Sequence, residues 1–252
     1  MKILLTNDDG IHADGIFYLQ KELKRLGQLT IIAPDSERSS ISHAITLEEP
    51  VYVSKHKRNG RFFGYGLSGT PSDCVKFGIN QIYKKKPDIV VSGINRGSNE
   101  GCSVIYSGTV AGAREGALLG IPSFAISLNT YVNPEFGYAA KIAVKIIRQI
   151  LKARISPKTF FNINVPHLPK SKIKGVRFTR QCMVPIHGTF TKRKDPNGNP
   201  YYWLSGKIPF KSKNLNVDAY ALSQNYVTVT PVHCDTTDYE ALEQIQNLRI
   251  SR

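Results

Sequence analysis

The sequence predicts an α/β protein whose mostly parallel sheet is flanked by helices and followed by a β-rich extension. Two observations lead there. Short apolar runs alternate with stretches of helical periodicity through the first two thirds of the chain, and after Pro166 the texture changes to turn-rich, β-prone segments. Strands separated by crossover helices pair in parallel and are covered on both faces, so they read as continuous apolar runs.

KILLTN (2–7) is the first such run, ending in turn chemistry. From Gly15 to Leu26, the residues Ile16, Leu19, Leu23 and Leu26 fall on one helical stripe that Gly27 stops. LTIIAP (29–34) is the second strand, and GYGLSG (64–69), PDIVVSG (87–93), PSFAIS (122–127) and FFNINV (160–165) repeat the pattern. Thr70, Pro71 and Asp73 predict a helix start: a capping hydroxyl, a residue suited to the first helical position and a carboxylate at the positive end. That helix is expected over 71 to about 85. Others are expected from Thr109 to Leu119, where Gly120 and Pro122 follow, and from about Tyr138 to Ala153. VRFTRQ, YYWLSG and NYVTVTPV, with KDPNGNP among the turns between them, predict an antiparallel appendage or hairpin arm rather than further βαβ units. A terminal helix is expected to open on a capping box, Thr237-x-x-Glu240, with Leu242, Ile245 and Leu248 on one side. The expected division is an α/β core over 1–170, a β-rich extension over 171–236 and a C-terminal helix over 237–252.

The 252 residues include 41% hydrophobic and 21% charged positions, an ordinary globular balance without repeats or low-complexity tracts. No apolar run is long enough to span a bilayer, and the opening lacks the regions of a signal peptide, so a cytoplasmic protein is expected. Cys74, Cys102, Cys182 and Cys234 are scattered with no C-x-x-C, which favours reduced thiols over a disulfide framework or zinc site. Lys and Arg number 34 against 19 Asp and Glu, a formal charge of +15. The basic residues are dispersed, and a solvated basic surface is favoured over a nucleic-acid groove.

Ligands of open parallel sheets bind beyond the carboxyl ends of the strands. Three polar segments fall there: Asp8 and Asp9 after the first strand, Ser39 in PDSERSSISH after the second, and Asn95 in SGINRGSNEG after PDIVV. Taken singly, Asp9-Gly10 reads as a strand-ending turn, Ser39 as a loop serine and Asn95 as a turn residue. Together they form a set of hard oxygen donors suited to one divalent cation, Mg²⁺ or Mn²⁺, which would offset the repulsion within the Asp pair. YSGTVAGAREG (106–116) then brings backbone N–H groups, hydroxyls and a helix N-terminus to one place, as phosphate sites do. Ser107 or Thr109 as a plain helix cap is the simpler reading of that turn alone. A cation beside a phosphate cradle points to phosphoester hydrolysis. There is no G-x-G-x-x-G for a dinucleotide and no G-x-S-x-G serine elbow. The six histidines lack metal spacing, and His43 alone lies close to these segments.

These motifs, TNDDG-x-x-A-x-G-I (6–16), APD with Ser39 and ITL (33–47), SGTPSDCV (68–75), PDIVVSGINRGSNEG (87–101), YSGTVAGAREG (106–116), NVP (164–166), YYWLSG (201–206) and YVTVTP (226–231), resemble the SurE survival proteins in identity and order. That family comprises metal-dependent 5′/3′-nucleotidases. The resemblance implies a cytoplasmic phosphomonoesterase acting on nucleoside monophosphates, with short polyphosphate as a further substrate. It implies metal ligation by Asp8, Asp9, Ser39 and Asn95, phosphate contacts from Asn95, Ser107, Gly108 and Thr109, and catalytic roles for Asp8, Asp9 and Asn95. It further implies a Rossmann-like core with a C-terminal β-hairpin extension exchanged within a homodimer, sometimes inside a homotetramer. Three positions depart from the family pattern: Ser40 and Asn225 stand where Gly is usual, and Ser103 where an acidic or amide residue is common. The competing readings are a basic nucleic-acid-binding protein with a vestigial site and a broad sugar phosphatase.

Overall fold

The computed structural model describes residues 1–246 apart from 154, 157, 186 and 208–212, together with 248. Its elements in chain order are β1 (Lys2–Thr6), α1 (Asp14–Leu23), β2 (Gln28–Pro34), β3 (Val53–Arg58), β4 (Arg61–Leu67), α2 (Pro71–Phe77), β5 (Ile89–Arg96), α3 (Ser103–Tyr106), α4 (Gly108–Leu118), β6 (Ser123–Asn129), α5 (Phe136–Lys152), β7 (Thr159–Pro166), β8 (Gly175–Phe178), β9 (His187–Lys194), β10 (Pro200–Lys207), α6 (Asp218–Ser223), β11 (Tyr226–His233) and α7 (Tyr239–Ile245).

Nine strands form one sheet in the order β3-β4-β2-β1-β5-β6-β7-β11-β8. The run from β4 to β7 is parallel throughout, as the apolar strands predict. Strand order proceeds to β2 on one side of β1 and to β5 on the other, so the switch point lies between β1 and β5. Side chains of β1 alternate between two layers. Ile3 and Leu5 pack with Ile16, Leu19 and Leu23 of α1 and Ile147 of α5. Leu4 packs on the other face with Ile32, Leu67 and Val75. Each of these is fully buried, a gain of about 1.5–3 kcal/mol per side chain.

The Thr70 capping box is present: Thr70 Oγ1 accepts from Asp73 N at 3.2 Å and Asp73 Oδ2 accepts from Thr70 N at 2.9 Å, with Pro71 in the first turn. Regular α-helix ends at Phe77, and a wider π-helical turn over Gly78–Ile82 completes the expected segment. Strand β3 is absent from the sequence-based expectations. It pairs antiparallel with β4 around Asn59 and Gly60, whose φ angles of 51° and 73° suit a tight hairpin turn.

Within the stretch expected to form the β-rich extension, β11 is antiparallel to β7 and parallel to β8, so both strands extend the main sheet. The hairpin β9–β10 forms a separate two-stranded sheet. Helix α7 is capped one residue later than expected: Asp238, not Thr237, supplies the cap, accepting from Ala241 N at 3.0 Å. A carboxylate is the stronger acceptor at a helix N-terminus, which explains the shift. Leu242, Ile245 and Leu248 are exposed, and residues 247 and 249–252 of the expected terminal helix lie outside the described residues. No helix of the described residues is long and apolar enough to cross a membrane.

Candidate active site

After β1 the chain turns sharply. Asn7 Nδ2 donates to Gly10 O at 2.8 Å, and Gly10 takes φ +96°, which a side chain would strain. The turn directs Asp8 inward, where only 3% of its surface is exposed. Its carboxylate accepts the backbone N–H of Thr109 at 2.9 Å and the Thr109 hydroxyl, so it sits in the first turn of α4, where the helix end favours negative charge. Gly108 permits this approach: a Cβ there would lie 2.9 Å from Arg38 O and 3.0 Å from Asp8 Oδ2. Burial pushes the Asp8 carboxyl above its ordinary range, and the Thr109 hydrogen bonds offset only part of the effect.

Asp9 is half-buried and its Oδ2 accepts from Arg96 N at 3.1 Å. Burial, followed by the charge of Asp8, pushes its carboxyl up to about 7. Glu37 adds a third negative charge beside both, and Ser39 Oγ donates to Glu37 Oε1 at 2.7 Å. At the end of β5, Asn95 Nδ2 donates to Gly97 O at 2.7 Å. That bond uses one of the two amide protons, fixes which way the amide faces and leaves Oδ1 as an acceptor. Ser107 caps α4, its Oγ accepting from Val110 N at 3.1 Å. The simple capping role is therefore real, and the hydroxyl proton remains free to donate.

Asp8, Ser39, Asn95 and Ser107 line one cavity of about 700 Å³, together with Ser40, Ser103 and Tyr106 among others. Asp9 lines a neighbouring cavity of about 240 Å³ with Glu37 and Arg96. Gly108 and Thr109 stand behind Asp8 rather than on the cavity wall. Ser40 takes φ +56° and Asn225 φ +68°. Asn accepts the left-handed region readily, whereas Ser40 holds it at a cost.

Sequence reasoning missed two supports of this site. The loop carrying Ser39 is clamped by Glu115, which is buried and meets His43 Nε2 at 2.9 Å and Lys76 Nζ at 2.8 Å. Burial alone would raise the Glu115 carboxyl, but those two hydrogen bonds prevail and hold it below its ordinary range. Asp73 adds a second clamp, accepting from Thr46 N and Thr46 Oγ1 at 3.1 and 2.6 Å. The loop after Asn95 is held by Asn99, whose N–H donates to Asn164 Oδ1 at 2.7 Å and whose carbonyl accepts from Asn162 Nδ2 at 2.6 Å. Gly101 N donates to Asp218 Oδ2 at 2.9 Å. The available signal was FFNINV, in which two asparagines at period two interrupt a buried strand and each demands a partner.

Among the described residues no group of three or more His, Cys, Asp or Glu side chains is placed to hold a metal ion. The oxygens expected to hold a cation are of a different kind: Asp8, Ser39 and Asn95 on one cavity and Asp9 on its neighbour offer two carboxylates, a hydroxyl and an amide oxygen, all hard. Comparison with known proteins converges on one group. The family model for Survival protein SurE matches residues 3–187. The 5'-nucleotidase SurE of Chlorobaculum tepidum is 45% identical over 244 residues, covering 97% of this chain and 93% of that protein. The 5'-nucleotidase SurE of Syntrophus aciditrophicus is 46% identical over 249 residues, covering 98% and 94%. The crystal structure of the SurE protein from Aquifex aeolicus superposes with a TM-score of 0.86 at 39% identity, covering 98% of each chain. With the match running through the carboxylate turn, the Asn95 loop and the α4 N-terminus alike, this chain belongs to the SurE family.

Proposed function

We infer that this protein hydrolyses nucleoside monophosphates to nucleoside and phosphate, with Asp8, Asp9, Ser39 and Asn95 holding a divalent cation such as Mg²⁺ or Mn²⁺. The observation that carries the reading is the buried Asp8 carboxylate in the first turn of α4, sharing one cavity with Ser39, Asn95 and Ser107. The names of relatives at about 45% identity support the substrate class. A bound cation supplies Lewis acidity and lowers the pKa of water at the phosphoryl group.

The chain's own groups do the rest. Ser107 donates its hydroxyl proton to a phosphoryl oxygen, and the N-terminus of α4 at Gly108 favours the negative charge. Asn95 Oδ1 is oriented by the bond from its nitrogen to Gly97. Thr109 acts through Asp8, because both its amide and its hydroxyl are bonded there. One of the two carboxylates, Asp8 or Asp9, takes the proton of an attacking water. The same phosphoryl chemistry extends to 5′- and 3′-monophosphates and to short polyphosphate. A cytoplasmic homodimer or homotetramer is part of this reading, with the exposed Phe190, Tyr202 and Trp203 of the β9–β10 hairpin serving association.

The test is phosphate release from 5′- and 3′-nucleoside monophosphates and sugar phosphates, with Mn²⁺ or Mg²⁺ and with chelator, and with Asp8→Asn as control. Turnover of nucleotides only with metal, lost in a folded Asp8→Asn protein, is the expected result. Full activity in chelator, or in the variant, would remove the carboxylate pair from the mechanism. Salt-sensitive RNA binding without any turnover would favour the nucleic-acid-binding alternative.

A further inference from the structure

We propose that Tyr131, with Tyr106 and Leu204, forms a nucleobase slot above the phosphate end of the candidate site; the proposal rests on the nucleotidase reading. The cavity of about 700 Å³ falls within the roughly 300–1,000 Å³ typical of pockets for drug-sized ligands, far more than a phosphate group occupies. Its chemistry is graded. Asp8 and Ser107 are buried at the deep end, whereas Tyr131, Tyr106 and Leu204 line the same cavity at 73%, 55% and 63% exposure. Three large, mostly apolar side chains held open to water around one polar floor suit a ligand with a charged end and a flat apolar end.

Tyr131 is seated rather than loose. A Cβ on Gly97 would lie 2.5 Å from its Cε1 and Cζ and 2.6 Å from its hydroxyl, so the ring rests directly on the Gly97 backbone. Gly97 takes φ +106°, and its carbonyl receives the Asn95 amide. The loop that orients Asn95 toward the phosphate end thus also supports the ring. The chain around Tyr131 is closed by Thr130, whose Oγ1 donates to Val132 O at 2.9 Å and accepts from Val132 N at 3.1 Å. Tyr106 immediately precedes Ser107, and its carbonyl accepts from Ser42 N at 2.8 Å, tying it to the loop that carries Ser39. Leu204 comes from β10, so the hairpin supplies an aliphatic wall. Both tyrosines are anchored beside a residue of the phosphate end, Tyr131 through Gly97 and Tyr106 through Ser107, which fixes the distance from phosphoryl group to base.

The test compares kcat/KM for a nucleoside 5′-monophosphate with kcat/KM for ribose 5-phosphate, which carries the same phosphoester and no base. The wild type is expected to favour the nucleotide. Tyr131→Ala is expected to lower the nucleotide-to-ribose ratio about tenfold or more, the usual scale for losing an aromatic that stacks on a base. Tyr131→Phe is expected to preserve the ratio, because stacking needs the ring and not the hydroxyl, and Leu204→Ala to lower it less than Tyr131→Ala. A wild-type ratio near one overturns the slot, as does an equal loss on both substrates in Tyr131→Ala, or a Phe variant that fails like the Ala variant. A wild type that turns over neither substrate refutes the nucleotidase reading itself.

Discussion

Replacing Asp9 with Asn removes the energetic cost of ionising a buried carboxylate beside Asp8. Asp9 ionises near 3.8 in the unfolded chain and near 7 in the folded one, burial and the charge of Asp8 being the causes. An acid displaced upward in this way is easiest to fold when protonated. The penalty is absent below the lower value, grows as pH rises between the two, and is complete above the upper one. Its full size is roughly 4 kcal/mol, comparable with much of the stability of an ordinary domain. Asn keeps an oxygen for the Arg96 N–H and removes the charge, so Asp9→Asn is expected to raise the unfolding free energy in chelator by about 2–4 kcal/mol at pH 8 and by about half that at pH 5.5. Urea denaturation followed by circular dichroism reads both values. With saturating Mn²⁺ the order should invert, because only the wild type gains the full binding energy of the cation. No gain at pH 8 in chelator, or a gain independent of pH, would refute the claim that ionised Asp9, buried beside Asp8, costs the fold stability.

Three further outcomes follow from the geometry. Ser40 holds a left-handed φ of 56°, so Ser40→Gly should stabilise by about 1 kcal/mol and raise Tm by about 2–4 °C; a lower Tm would show that the Ser40 side chain carries an unrecognised contact. Gly108→Ala would set a methyl group 2.9 Å from Arg38 O and 3.0 Å from Asp8 Oδ2 and, by displacing Asp8, should reduce phosphate release about 100-fold; unchanged turnover would count against this placement of Asp8. Glu115→Gln should cost about 1–3 kcal/mol at pH 7. Because the Glu115 carboxyl is held low, its contribution is present above its unfolded value of 4.5 and fades as pH falls, so melting curves of variant and parent should converge in acid.

The central strands were legible because burial on both faces leaves a simple trace, an unbroken apolar run such as ILL or IVV. The start of α2 was legible because capping is a local matter, decided by Thr70, Pro71 and Asp73 among themselves. Strand β3 left no such trace: VSKHKR has no apolar alternation, and the strand exists because β4 pairs with it across the Asn59–Gly60 turn. The placement of β11 was hidden for a related reason. YVTVTPV reads equally well as an edge hairpin or as a partner of β7, and only tertiary pairing decides. In the candidate site, residue types and their positions after successive strands singled out Asp8, Asp9, Ser39 and Asn95. The commitment of Thr109 to Asp8 spans 101 positions and has no local signature. Tyr131 escaped notice because a lone tyrosine in a loop looks like any other until Gly97 is found beneath it.

The fastening of the Asn95 loop bears on the order in which the enzyme comes into being. All seven residues proposed for metal and phosphate binding are synthesised by position 109. Yet the loop that follows Asn95 is tied to Asn162, Asn164 and Asp218, which emerge between about 50 and 110 residues later. A nascent chain therefore carries its reactive groups long before it can hold them in place, and activity on the ribosome must wait for the last third of the polypeptide.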